Sequence, residues 1–164
     1  MKNIIWILIL VTGIIFESGC KKKSEHCGYT LSDVNGVVAP GSEVNALKQY
    51  IENDSIDATY DARGFYYKIE SEGSAEKPAP CADITINYVG SLTSGSVFDQ
   101  ATNAQFNLSN LIVGWQIGVP LIGKGGKITL YLPPSFGYGS NQVGSIPANS
   151  ILVFSIDLIN FTNP

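Results

Sequence analysis

The spacing of apolar residues along this chain changes several times, and each change marks an element. Residues 4–16 form an unbroken run without a charge, preceded by Lys2. As a helix those 13 residues reach about 20 Å, short of the roughly 30 Å of a bilayer core. The run therefore predicts a signal-peptide core rather than a membrane span. Further on, Val44, Leu47 and Ile51 recur at helical spacing and predict a short amphipathic helix over 42–53. Ser42 is its expected N-cap, Glu43 suits the first turn, and Asn53-Asp54 ends it. From Gly64 the period becomes two. Phe65-Tyr66-Tyr67-Lys68-Ile69 reads as a strand, 71–80 as a loop, and 84–89 as a strand ended by Gly90. Thr93-Ser94-Gly95 has turn chemistry, and Gln105-Phe106-Asn107-Leu108 is a short strand. Residues 127–132 form another strand, stopped by Pro133-Pro134, and 151–159 the last. Between them, 114–119 allows one or two helical turns before Pro120. The pattern predicts an α+β fold: an antiparallel sheet with one short helix and an N-terminal helical extension.

Composition narrows the chemistry. Hydrophobic residues make up 45% and charged residues 15%, which suits a packed core. The net charge of −4 offers no basic groove for nucleic acid. His26 is the single histidine, so a Ser-His-Asp triad would depend on it, and a His-Glu-x-x-His zinc site needs two. Neither a metal nor a cofactor is expected. Gly118-Val119-Pro120-Leu121-Ile122-Gly123-Lys124 matches most of a phosphate-binding loop. However, Gly125 follows where Ser or Thr is needed, and Pro120 removes a backbone donor.

The end of the apolar run carries its own signal. Glu17-Ser18-Gly19-Cys20 resembles a bacterial lipobox, with Glu17 where Leu, Val or Ile is usual. Cleavage before Cys20 would leave that residue acylated and the chain lipid-anchored in the cell envelope, facing the periplasm. The competing reading is an ordinary signal sequence with a chance cysteine. Lys21-Lys22-Lys23 either rests on anionic headgroups or is a solvated tether. Export places the chain where disulfides persist. With Cys20 acylated, Cys27 and Cys81 remain, either bridged or as two separately buried thiols. A bridge would close a loop of about 54 residues, worth about 4 kcal/mol in the chain-entropy picture. The resulting division is a signal peptide at 1–19, a tether at 20–41, a helical extension at 42–61 and a globular domain at 62–164.

Within that domain, short blocks follow one another in a definite order. They are Tyr88-Val89-Gly90, Val97-Phe98-Asp99, Phe106-Asn107-Leu108, Leu111-Ile112-Val113-Gly114-Trp115 and Gly126-Lys127-Ile128. Leu132-Pro133-Pro134, Phe136-Gly137-Tyr138-Gly139, Ile146-Pro147-Ala148-Asn149-Ser150 and Leu152-Val153-Phe154 complete the series. Over roughly 62–160 the chain resembles the FK506-binding family of peptidyl-prolyl isomerases. The resemblance implies an FKBP-like curved antiparallel sheet wrapped around a short helix, with an apolar bowl between them. By matched position the bowl comprises Tyr88, Phe98, Asp99, Leu111, Ile112, Trp115, Tyr138, Ile146 and Phe154, with Trp115 as its floor. Tyr138 hydroxyl and Ile112 N–H would donate to a bound carbonyl, and 135–147 would form a flap. The implied partners are proline-containing protein clients, and macrolides of the FK506 type. A chaperone or binding module with little catalysis is the alternative. Ala104 stands where an aromatic wall residue is common, which would open one side of the bowl. The flap is one residue short, with Gln142-Val143 where some members carry histidine. Both departures predict an altered substrate preference.

The implied chemistry needs no nucleophile. An X-Pro bond isomerises over a barrier of about 18–20 kcal/mol, while its two isomers differ by only about 0.5–1 kcal/mol. The twisted amide is less polar than the planar one, so a water-poor aromatic bowl favours it while fixed donors hold the carbonyl.

Overall fold

Period-two segments pair into one six-stranded antiparallel sheet, of order β1-β2-β5-β6-β3-β4, in the computed structural model, which describes residues 36–164. The signal segment, Cys20, the three lysines, His26 and Cys27 lie outside the described residues. The strands are β1 (Thr59–Asp61), β2 (Phe65–Ser71), β3 (Asp83–Leu92), β4 (Val97–Asn107), β5 (Lys127–Leu132) and β6 (Leu152–Thr162). Among the described residues no helix is long and apolar enough to cross a membrane.

Helix α1 (Gly41–Asn53) lies on the sheet's outer face. Its spaced apolar residues explain the docking: Leu47 and Ile51 are buried and cluster with Tyr131, alongside Tyr50, Tyr66, Ile151 and Val153. Ser42 is not its cap. Pro40 holds that position without a side-chain bond, and Ser42 falls inside the first turn. Pro40 suits the place because its fixed φ leads into the helix. The last residues read as tether are also docked: Ala39 is buried and its N–H donates to Arg63 O at 2.8 Å.

Helix α2 (Val113–Gly118) sits on the inner face, continued by a 3-10 turn over Val119–Leu121. Two glycines bring it close to β5. A Cβ at Gly114 would stand 2.3 Å from Leu132 Cδ1, and one at Gly118 2.6 Å from Leu130 Cδ1. No side chain fits there, so this flank of the helix packs backbone against leucine. Gly123 is equally confined, beneath Ser74 and Glu76 carbonyls. The stretch that mimics a phosphate loop is thus a packed corner of the fold.

Four strands run longer than their patterns suggest, and β2 takes in Ser71, expected to open a loop. The stretch 97–104 has mixed polar residues and no alternation because β4 is an edge strand, largely exposed along its length. Leu108, expected to end that strand, instead opens a 3-10 turn over Leu108–Asn110. Gly90 lies inside β3 rather than ending it. β6 continues to Thr162 beside the start of β3. Cys81 is disulfide-bonded, and its expected partner Cys27 falls outside the described residues.

Candidate functional site

Alternation along β3 turns Tyr88 to the inner face, and the following α2 turns Trp115 toward it. Trp115 is 4% exposed and forms the centre of a ring cluster. Its indole stands edge-on to Phe154 (5.1 Å, 87°), to Tyr88 (5.1 Å, 79°) and to Phe106 (6.2 Å, 80°). Phe98 meets Phe154 at 5.6 Å and 84°. Edge-to-face rings attract through their quadrupoles and prop one another apart. Gly90 makes room for two of them: a Cβ there would lie 2.6 Å from the Phe98 ring and 2.8 Å from Phe154. The result is a cavity of about 210 Å³ lined by Tyr88, Phe98, Asp99, Phe106, Leu111, Ile112, Trp115, Tyr138 and Phe154.

Eight of the nine residues expected at the bowl therefore meet around one cavity. Ile146 does not line it. Backbone bonds between Val143 and Ile146 (3.0 and 2.9 Å) close a tight turn at Gly144, which has φ +56°. That turn directs Ile146 into the core at 5% exposure and leaves Val143 41% exposed. Phe106 is the wall residue that matched positions did not single out. Its signal was present in the Phe106-Asn107-Leu108 block. Ala104 is half-buried outside the lining, and Phe106 closes the side that Ala104 was expected to open.

Polar groups around the rim are few. Tyr88 hydroxyl donates to Asp99 Oδ2 at 2.6 Å. Burial, then that bond and the Asp99 charge, push the Tyr88 hydroxyl up to about 12. Burial and Asp99 also raise the Tyr138 hydroxyl. Both phenols are thus protonated donors at neutral pH. Tyr138 hydroxyl donates to no protein group among the described residues. The Ile112 N–H is likewise unpaired there, while Ile112 O accepts from Trp115 N (2.9 Å) and Gln116 N (3.2 Å). The arrangement offers an aromatic floor, whose Trp115 Nε1–H is buried without a protein partner among the described residues, and two unused donors at its edge.

A larger cavity, about 490 Å³, lies on the outer face around Asn87, Val89, Ser155 and Asp157. Its lining is mainly amide and hydroxyl side chains, with a Lys127–Asp157 ion pair of 3.3 Å. It has no aromatic floor.

Comparison with known proteins covers the segment that contains the smaller cavity. Residues 74–159 match the family model described as FKBP-type peptidyl-prolyl cis-trans isomerase. The chain is 40% identical over 122 residues to the FKBP-type peptidyl-prolyl cis-trans isomerase FkpA of Buchnera aphidicola subsp. Schizaphis graminum, covering 71% of this chain and 48% of that protein. With the FkpA of Escherichia coli K12 it shares 38% identity over 169 residues, 92% of this chain and 63% of that protein. The chain thus spans less than two thirds of the length of these curated relatives. The crystal structure of FkpA from Escherichia coli superposes with a TM-score of 0.67 at 32% identity, over 74% of this chain and 60% of that one. A peptidyl-prolyl cis-trans isomerase from Pseudomonas syringae superposes with a TM-score of 0.65 at 28% identity, over 77% and 99%.

Proposed function

The chain belongs to the FKBP-type peptidyl-prolyl cis-trans isomerase family, and from that premise we propose that it catalyses cis-trans isomerisation of X-Pro bonds in exported proteins. The observation that carries the reading is the aromatic cavity over Trp115 with two unused donors at its rim. A proline ring seats on the indole, and Tyr138 hydroxyl and Ile112 N–H donate to a bound carbonyl. The twisted amide loses conjugation and polarity, so the desolvated bowl binds it more tightly than either planar isomer. Each tenfold acceleration requires about 1.4 kcal/mol of that difference.

The same reading places the domain in the bacterial cell envelope, tethered through an acylated Cys20, with Cys27 as the partner of Cys81. The apolar run before Cys20 supports the export signal. A disulfide at Cys81 supports an oxidising compartment. Cys20→Ser should move the protein from the membrane to the soluble fraction.

The deciding experiment is relaxation of a proline-containing tetrapeptide from cis to trans, with and without FK506. Acceleration abolished by the macrolide is the expected result. No acceleration from a cooperatively folded sample would end the catalytic reading.

A further inference from the structure

Gln116 is the one buried polar side chain among the described residues, at 4% exposure. It lies in α2 directly after the bowl's floor, Trp115. Its Nε2 donates backwards to Leu111 O at 2.7 Å and to Ser109 O at 3.3 Å. Both acceptors belong to the loop that delivers Ile112 to the cavity rim. Its Oε1, by contrast, is buried with no partner. An unpaired buried acceptor is destabilising, and a leucine or methionine of similar size would avoid it. A residue that only filled the core would have no reason to be an amide. The loop is held from its other end as well. Asn107 Oδ1 accepts from Ser109 N (3.2 Å) and Ser109 Oγ (2.6 Å), while its Nδ2 donates to Cys81 O (3.0 Å). Two side-chain amides therefore clamp 108–111 from both sides, and the Ile112 N–H is left over at the cavity.

Resting on the isomerase reading above, we propose that Gln116 is a positioning residue, whose amide fixes the loop before α2 so that the Ile112 N–H stands ready for a substrate carbonyl. It touches no substrate itself. Its effect passes through Leu111 O to the next peptide group, where a displacement of a fraction of an ångström spoils a hydrogen bond. The bond serves capture of the planar and twisted amide alike, so its loss weakens binding more than turnover.

Gln116→Met keeps the length and removes the donor. In this variant KM for the tetrapeptide should rise about fivefold, while kcat changes by less than about twofold. The Ile112 amide resonance should shift or broaden in the substrate-free protein. Gln116→Asn keeps an amide but falls short of Leu111 O, so it should act alike, and it covers the case that the methionine variant does not fold. Leu47→Ala, on the buried stripe of α1 and in a separate core cluster from the loop, supplies the comparison: it should lower Tm without moving KM or the Ile112 amide. Folded Gln116 variants with unchanged KM and an unmoved Ile112 amide would overturn the proposal, as would a loss of kcat and Tm alone. An inactive wild-type protein would instead defeat the isomerase reading. The amide resonance, which needs no substrate, would still decide the role of Gln116.

Discussion

The sheet carries an aromatic cluster on each face, and the inner one frames an open cavity while the outer one is packed under a helix. On the outer face Tyr131 packs under α1, with Tyr50 at 6.5 Å and 53°, and Leu47 is wholly buried. On the inner face Tyr88, Phe98, Phe106 and Phe154 surround Trp115 and an open cavity. The residue types are similar. What differs is the helix laid over them. α1 has 13 residues and an apolar stripe that covers its tyrosines. α2 has six, and its glycine flank presses against β5. Tyr88 on β3 and Phe98 and Phe106 on β4 are left part-exposed, while Phe154 on β6 stays buried against Trp115. Aromatic content by itself does not leave a cavity among the rings; incomplete cover does.

The sharpest way to break this comparison is to remove one anchor from each face. Trp115→Ala should cut peptide isomerisation by more than about tenfold and also cost about 3–5 kcal/mol of stability, read by denaturant titration. Leu47→Ala should cost about 2–5 kcal/mol yet leave kcat/KM per folded molecule unchanged. Equal activity loss in both variants would mean that the faces are not separable.

Tyr138→Phe tests the rim more finely. Its hydroxyl serves no protein partner, so Tm should stay within about 2 °C while kcat/KM falls about tenfold. A pH series follows from the same rim. Activity should be flat between about pH 6 and about pH 9, because neither Tyr88 nor Tyr138 loses its proton there. The folded protein holds Tyr88 up to about 12 against an ordinary value of 10.0. The neutral phenol is thus favoured on folding. Its stabilising share is complete below about pH 10 and is lost as pH rises from there toward about 12. Thermal melts across that alkaline range check the sign.

The smallest expected effect concerns a link between the outer helix and the flap. Glu43 Oε2 accepts from Ser135 N at 2.8 Å, at the start of the turn that leads to Tyr138. The bond is exposed, so Glu43→Ala should cost less than about 1 kcal/mol and change kcat/KM by about twofold at most. A larger loss of activity would show that α1 does more than cover its side of the sheet.

Local pattern made much of this legible. Val44, Leu47 and Ile51 announce α1, and alternation in 65–69, 84–89 and 127–132 announces three strands, because a neighbour in space is there also a neighbour at fixed spacing. The ordered blocks from Tyr88 to Phe154 carry the family, and with it eight residues that meet at the cavity. β4 was legible only in part, since an edge strand that is nowhere fully buried has no regular burial alternation to display.

What the sequence by itself determined is the alternation that makes the sheet and the order of the family's blocks. Tertiary structure alone decided that Phe106 closes the wall while Ala104 does not, that the turn at Gly144 sends Ile146 into the core, and that Gln116 reaches back to Leu111. The physical reason is common to all three. Each depends on side-chain direction after distant strands have paired and the helix has docked, and spacing along the chain does not encode that direction.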